Sequence, residues 1–336
     1  MKKLLFFFIA LLFTVSSCRD DIVVKNTPGN VFLAFWKTMN EGYVYFEEKK
    51  INWDSIYTVY YPRALLAKDD DELFGIMSEI IPQFKDSHLS LSKNTTKGVG
   101  YMPDAYSYYL FPKMYQYGFY LQASCSYKSY YMAYQHKTKS YVYIKFEGLN
   151  YEYNDSIIVA SLKALDFKNG LIVDMRNYAG GSSEKIFEMA SMFYSGEKTI
   201  FFKTSKSTRR NDFSIPIPIK YKGRGIVSSE VPVIVLTGIV CYSAGNVIAY
   251  ILHDLPNCTS VGKPTGGGGS PVKWKYLPNG WVLSYPFSKC YSSTGANMEY
   301  SLKPDVYVNY DSSKDTTDTH LRKALSILDS INSIKK

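Results

Sequence analysis

The sequence predicts an α/β fold built around a largely parallel sheet. Three short runs rich in apolar and β-branched residues, at 141–146, 171–175 and 231–240, are typical of buried strands. Apolar residues at helical spacing follow each run, and turns that contain Gly or Asn separate the segments. Alternating strand and helix units of this kind form a mainly parallel sheet with helices packed against it.

Two shorter regions are predicted to precede this core, which covers residues 141–336. Residues 31–95 are expected to form a small helical domain, in which the acidic run at 69–72 is typical of the first turn of a helix. Other apolar residues recur there at helical spacing: Phe32, Phe35, Trp36 and Met39. Residues 96–140 are rich in tyrosine and predict a β bridge. This segment is too short for a complete PDZ domain, so none is expected.

Composition restricts the function classes. A chain of 336 residues with 46% hydrophobic and 21% charged residues is globular and can bury a full-sized core. The formal net charge is +9, but the basic clusters lie in a loop over 203–224, which is typical of a solvated face. We therefore expect no nucleic-acid partner. No CxxC motif and no Cys/His ligand spacing occurs, so neither a metal nor another cofactor is expected.

The N-terminus predicts export and lipid attachment. A basic start is followed by an apolar run over 4–15 that is too short to span a membrane, as in a signal peptide. Val15-Ser16-Ser17-Cys18 resembles the lipobox of bacterial lipoproteins, which predicts a signal peptide over 1–17, a lipid on Cys18 and a tether over 18–30. The acidic residues that follow suggest the bacterial outer membrane, on its periplasmic or surface face. A plain secretory signal is the alternative.

Ser243 occupies a predicted turn between the strand at 231–240 and a helix. A serine at such a turn has its hydroxyl raised out of the sheet, beside the free N–H groups and positive end of the helix. These features suit a nucleophile whose reaction develops an oxyanion. Because serine is also a favoured N-cap residue, a purely structural cap is an open alternative on this segment alone.

Two other segments offer groups that could act with this serine. His88 follows Asp86 and Ser87 at a predicted helix-to-strand junction, from which an imidazole can project. A structural histidine is the alternative. Gly180 and Gly181 lie in a strand-to-helix turn, where backbone N–H groups can approach a ligand closely. The alternative is a tight turn that only needs positive φ.

Five short motifs occur in order along the chain: Asp86-Ser87-His88, DMRNYAGG at 174–181, YSAGN at 242–246, VGKPTGG at 261–267 and KPDVYV at 303–308. Together they resemble the motifs of the tail-specific or C-terminal processing serine peptidases. The resemblance is closer to the tricorn-like Ser-His members than to the Ser-Lys members. It implies a ClpP/crotonase-like core of ββα units with serine peptidase activity.

The same resemblance implies a nucleophile and a base. Ser243 would attack the peptide, and His88 would take its proton. The lysine of the Ser-Lys members falls on Gly268 in this chain, so that base is absent. Lys263 stands where the family motif has an acid and is an alternative base, which would need desolvation to be neutral.

It also implies supporting groups. Ser87 and Glu299 would assist the histidine, although Glu299 lies one residue out of step with the family spacing. The backbone N–H groups of Ala244 and of Gly180 or Gly181 would form the oxyanion hole.

These residues predict a serine endopeptidase that hydrolyses peptide bonds of exported proteins or peptides. The alternative is a non-catalytic lipoprotein that binds a peptide or an apolar ligand on the same scaffold, because the lysine is missing and the glutamate is displaced. An α/β-hydrolase esterase fits less well, since Cys241 replaces the first glycine of GxSxG and His88 precedes Ser243. The peptidase hypothesis requires that folding bring His88 and Ser243 within hydrogen-bond reach.

Overall fold

The computed structural model describes residues 25–94, 96–101, 113–126, 129–148, 155–207, 209–310 and 317–334. The predicted signal peptide over 1–17, Cys18 and most of the predicted tether over 18–30 lie outside the described residues.

Seven α-helices occur within the described residues. They are α1 (Pro28–Gly42), α2 (Trp53–Leu66), α3 (Asp70–Ser78), α4 (Asp155–Ala164), α5 (Ser183–Ser191), α6 (Ala244–His253) and α7 (Thr319–Ile334). In these same parts of the chain, no helix is long and apolar enough to cross a bilayer.

The described residues also form fourteen strands. They are β1 (Ser90–Ser92), β2 (Gly98–Gly100), β3 (Phe119–Ser126), β4 (Ser129–His136), β5 (Tyr141–Gly148), β6 (Gly170–Tyr178), β7 (Ser195–Lys203), β8 (Ile217–Arg224), β9 (Val233–Thr237), β10 (Cys258–Gly262), β11 (Val272–Tyr276), β12 (Val282–Pro286), β13 (Cys290–Ser292) and β14 (Val306–Tyr307).

The predicted N-terminal helical region is present as α1, α2 and α3. Asp69 caps α3 by accepting hydrogen bonds from the amides of Asp71 and Glu72, as the acidic run predicts. A short 3₁₀ helix, Ile81–Phe84, follows and includes the proline that disfavours a longer helix. Lys85 then adopts a left-handed conformation with φ of 47°, which turns the chain towards His88.

The core sheet has seven strands in the order β14-β10-β9-β6-β5-β4-β3. The first five are parallel, while β4 and β3 are antiparallel. This confirms the predicted α/β fold. The tyrosine-rich segment, expected to form a bridge, supplies β3 and β4 to the edge of the core sheet. Because β6 and β9 are parallel neighbours, the turns at their carboxyl ends meet at one edge.

Two smaller sheets flank the core sheet. The first has the order β11-β12-β1-β2 and the second the order β13-β7-β8. In the first, β1 comes from the N-terminal part of the chain and pairs with β12 from the core, with Ser90 opposite Ser284. This pairing connects the segment that carries His88 to the core.

A buried ion network joins β6 to α7. Arg176 donates to Asp174 at 2.6 Å and to Asp318 at 2.7 Å, and Asp318 caps α7 by accepting from the amide of Leu321 at 3.0 Å. Tyr143 also donates to Asp174. Burial by itself raises the pKa of Asp174, but the Arg176 guanidinium outweighs it and lowers that pKa to about 2. We call these four residues (Asp174, Arg176, Asp318 and Tyr143) the Arg176 network.

Candidate active site

Ser243 lies in a strained turn between β9 and α6. Its φ is 55° and its ψ is −124°, and a non-glycine residue in such a region costs about 1–3 kcal/mol. Its amide donates to the carbonyl of Gly267 at 3.0 Å, which helps to hold the turn. The Ser243 side chain makes no capping hydrogen bond to α6. The alternative of a simple helix cap therefore does not describe the position of this hydroxyl.

His88 lies beside this hydroxyl. Its Nε2 is 2.9 Å from the Oγ of Ser243, across 155 positions of the chain. The His88 amide donates to Asp86 Oδ1 at 2.8 Å, and its carbonyl accepts from Ser284 Oγ at 3.0 Å. Tyr43 in turn donates to Asp86 Oδ2 at 2.8 Å. The histidine backbone is thus held by groups from three separate parts of the chain.

The environment of His88 favours the neutral imidazole. Burial lowers the pKa of His88, the Asp86 carboxylate partly offsets that effect, and the Lys49 ammonium adds to it. The ring also packs against Tyr242, with centroids 4.9 Å apart. A histidine whose pKa is lowered stays in its basic form at neutral pH, so it can accept a proton from the serine.

Gly180 lies against the same turn. Its φ is 102°, and a Cβ at this position would lie 2.7 Å from the amide nitrogen of Ala244 and 2.8 Å from the Cβ of Ser243. Any other residue would therefore fill the space next to the serine. Gly181 has a φ of 144° and lines the cavity that contains Ser243 and Ala244. Ala244 is the first residue of α6, where backbone N–H groups have no partner within the helix.

A cavity of about 350 Å³ opens at Ser243. Its lining includes polar residues such as Ser183, Lys203 and Ser270, but most of the wall is apolar. The apolar lining comprises Ile186, Phe187, Phe201, Ile219, Val247, Pro271 and Phe287. Such a cavity can take an apolar side chain next to the serine hydroxyl.

Glu299 is buried near this site but forms no hydrogen bond with His88. Its Oε1 lies 2.8 Å from Nζ of Lys49. Burial raises the pKa of Glu299 to about 7, the Asp86 carboxylate acts in the same direction, and Lys49 opposes both. The structure therefore places Glu299 next to Lys49, the cation whose charge acts on His88.

Two other candidates stay apart from the Ser243–His88 pair. Ser87 is half-buried, and its hydroxyl has no hydrogen-bond partner among the described residues. Lys263 is half-buried, contacts Thr237 through backbone groups and does not line the cavity. Its ammonium forms no ion pair within the described ranges.

The ring of Tyr242 fills the space of the missing lysine. A Cβ on Gly268 would lie 2.4 Å from Cε2 of Tyr242, so that ring excludes a longer side chain at this position. The ring also contacts His88. Sequence reasoning missed Tyr242, Tyr43 and Lys49, because no local pattern marks a residue that meets the site only after folding.

Within the described residues, no group of three or more His, Cys, Asp or Glu side chains is arranged to hold a metal ion. Cys290 lines the cavity, but burial raises the pKa of its thiol to about 12, so it is not a thiolate at neutral pH.

An α/β core that brings a strained serine, a neutral histidine and a glycine turn together is typical of serine peptidases. The sequence matches peptidase family S41 over residues 140–308 and the tricorn protease C1 domain over residues 26–81. The chain therefore belongs to peptidase family S41.

Solved structures show the same fold. A candidate peptidase from Parabacteroides merdae is 25% identical with a TM-score of 0.77, over 90% of this chain and 96% of that one. A lipoprotein from Streptococcus agalactiae is 17% identical with a TM-score of 0.58, over 90% and 96%. The photosystem II D1 C-terminal processing protease is 14% identical with a TM-score of 0.52, over 90% and 97%. No curated protein matches the sequence.

Proposed function

We propose that this chain is a serine endopeptidase that cuts exported proteins or peptides, with Ser243 as nucleophile and His88 as general base. The observation that carries the proposal is the 2.9 Å separation of His88 Nε2 and the Oγ of Ser243, which lines a largely apolar cavity. Membership of a serine peptidase family supports the same chemistry.

The proposed reaction follows from the positions of these groups. His88 Nε2 takes the proton of Ser243 as Oγ bonds to the carbonyl carbon of the peptide. The carbonyl oxygen becomes an oxyanion, which the N–H groups of Ala244 and of Gly180 or Gly181 stabilise. The imidazolium then gives its proton to the leaving amine, and the C–N bond breaks. A water molecule, deprotonated by His88, releases the acyl group from Ser243.

The carboxylate of Asp86 would stabilise the imidazolium that forms on His88, whereas the ammonium of Lys49 opposes it. Asp86 is the carboxylate that acts most strongly on it and is held by Tyr43. We assign Glu299 a supporting role through Lys49, because pairing with Glu299 offsets the positive charge that lowers the pKa of His88. Ser87, next to the histidine in sequence, belongs to the same proposal as a supporting residue.

We also propose that the enzyme is exported and anchored by a lipid on Cys18 to the bacterial outer membrane, on its periplasmic or surface face. The basic, apolar and lipobox segments of residues 1–18 support this placement. The substrates would then be peptides or proteins outside the cytoplasm.

The central experiment replaces the nucleophile. We expect Ser243→Ala to reduce kcat/KM for peptide hydrolysis by about a thousandfold or more and to prevent labelling by an activated phosphonate. Ser195→Ala, at an exposed serine of β7, is the matched control and should keep both activities. Undiminished turnover in Ser243→Ala would refute the mechanism.

One other function fits a specific observation. The apolar cavity and the ring of Tyr242 at the position of the missing lysine also suit a lipoprotein that binds a peptide or apolar ligand without cutting it. Wild-type protein that retains peptides uncut at all pH values, and that resists the phosphonate, would favour this alternative.

A further inference from the structure

A second cavity, of about 200 Å³, adjoins the cavity at Ser243. Lys203 and Phe287 line both cavities, so the two cavities are neighbours at these two side chains. Most of the second cavity's lining is basic or carries hydroxyl groups. Its basic residues are Lys203, Lys206 and Lys273.

Two lysines share one aromatic ring between these cavities. The Nζ atoms of Lys203 and Lys273 lie 5.2 and 4.5 Å from the centroid of Phe287. Neither ammonium forms an ion pair with a carboxylate in the part of the chain that the structure describes. An anion bound near this ring would be attracted by both ammonium groups.

The remaining charged groups of the second cavity do not cancel this excess. The ammonium of Lys206 donates to the backbone carbonyls of Asn40 at 2.9 Å and Tyr43 at 2.6 Å, so it fixes the helical region to the core. Among the described residues, Glu41 is the one carboxylate that lines this cavity, and it lies 3.9 Å from the exposed Lys37. With three lysines and one glutamate in its lining, the cavity has a net positive charge.

We propose that the second cavity binds a carboxylate of the peptide substrate, so that the enzyme prefers peptides with an anionic group near an apolar residue. The inference rests on the proposed peptidase function and names its substrate class. The apolar residue occupies the cavity at Ser243, and the carboxylate lies near Lys203 and Lys273, where the exposed hydroxyl of Ser205 can donate to it. The carboxylate can come from a Glu or Asp side chain or from the end of the peptide.

Binding and turnover are measured separately, so that each proposal can fail alone. The probes are fluorescent peptides that contain one aromatic residue. In each pair of peptides, one position near the aromatic residue is Glu in one peptide and Gln in the other. Each peptide is made with a free and with an amidated C-terminus. Their Kd for the Ser243→Ala protein is measured by anisotropy. We expect the best carboxylate peptide to bind about tenfold more tightly than its amide counterpart, as two charge-assisted contacts allow. If the Glu-to-Gln change weakens binding, the site binds a side-chain carboxylate; if amidation weakens binding, it binds the C-terminal carboxylate.

Removal of the two ammonium groups tests their role. Lys203→Met with Lys273→Met, in the Ser243→Ala protein, should bring the ratio of the two Kd values to about one, because methionine keeps the length but not the charge. Lys222→Met, at an exposed lysine of β8, should keep the full ratio. If the double variant fails to fold, Lys273→Met alone, at an exposed position, should still lower the ratio.

The outcomes separate the two proposals. The proposed carboxylate site is overturned if the ratio of the two Kd values is near one in the Ser243→Ala protein. It is also overturned if that ratio is unchanged when both lysines are replaced. Wild-type protein that cuts Glu and Gln peptides with equal kcat/KM overturns it while the peptidase function stands. Wild-type protein that cuts neither, while the Kd ratio depends on the lysines, keeps the site and refutes the peptidase function.

Discussion

The Arg176 network and the residues around Ser243 are both buried and polar, but their hydrogen bonding differs. In the Arg176 network, Asp174 and Asp318 each accept two hydrogen bonds from one guanidinium. Around Ser243, Nδ1 of His88 and Oε2 of Glu299 are buried and have no hydrogen-bond partner among the described residues. Ser243 itself is held in a strained conformation.

This difference separates a structural site from a reactive one. The guanidinium stabilises the charge of Asp174, and its pKa falls to about 2 despite burial. Burial and two other carboxylates disfavour the charged form of Glu299, and one cation, Lys49, favours it. The pKa of Glu299 therefore rises to about 7. Perturbed groups that can change their charge near neutral pH are typical of catalytic sites, whereas fully paired groups are typical of the fold. The motif DMRNYAGG at 174–181 supplies Asp174 and Arg176 to the network and Gly180 and Gly181 to the turn beside Ser243.

The largest effect should come from the histidine. We expect His88→Ala to reduce kcat/KM by about 10⁴-fold, because the serine loses its base, with little change in the free energy of unfolding. Peptide hydrolysis and urea unfolding measure the two quantities. His136→Ala is the control, because this histidine of β4 lies away from Ser243 and accepts hydrogen bonds from the amides of Thr138 and Lys139. Equal activity of the two variants would contradict the assignment of the base.

The Arg176 network should show the opposite behaviour. Arg176→Met leaves the carboxylates of Asp174 and Asp318 buried without their partner, so we expect a loss of about 3–5 kcal/mol in the free energy of unfolding. Arg63→Met removes an exposed pair with Glu79 and should cost about 1 kcal/mol or less. Urea unfolding compares the two. Similar losses would mean that the network is not the stabilising element inferred here.

Lys49 should affect the pH dependence of activity. Burial is the larger cause of the lowered pKa of His88, and Lys49 adds to it, so Lys49→Met should raise that pKa. The acid limb of kcat/KM should then move to higher pH, since the imidazole is protonated earlier as the pH falls. Lys50→Met, at the exposed neighbouring residue, is the matched control. An unmoved limb in Lys49→Met would exclude an electrostatic link.

The smallest effect concerns stability and pH. Glu299 keeps its proton up to about pH 7 in the folded chain but loses it near its ordinary pKa of 4.5 when unfolded. The folded state therefore binds more protons over that interval, and the free energy of unfolding should fall as pH rises from about 4.5 to about 7. Asp174 has the opposite effect: its contribution to the free energy of unfolding is lost as pH falls from 3.8 towards 2.

The measurement compares wild-type protein with Glu299→Gln, which cannot titrate at this position. Urea unfolding is measured at several pH values. As pH rises from about 4.5 to about 7, the free energy of unfolding of the wild type should fall relative to that of Glu299→Gln. A constant difference across the interval would mean that Glu299 is ionised throughout.

Much of the fold could be predicted because it depends on local patterns. The apolar run before Ser243 predicts a strand, and the helical spacing after it predicts α6. The terminal helix, Thr319–Ile334, and the hairpin around Pro278-Asn279-Gly280 also follow from local periodicity and turn residues. The place of the tyrosine-rich strands at the sheet edge could not be predicted, because strand pairing depends on which edges meet after the chain has folded.

The sequence by itself determined the α/β class and the turn at Ser243. It also determined the glycine turn at Gly180 and Gly181 and the choice of His88 as the candidate histidine, because each of these features depends on neighbouring residues. Only the tertiary structure decided which side chains meet there. The pairing of β1 with β12 carries His88 to Ser243, and the helical region brings Tyr43 and Lys49 to the same place. Those contacts join residues far apart in sequence, so their geometry and their electrostatic effects exist only in the packed molecule.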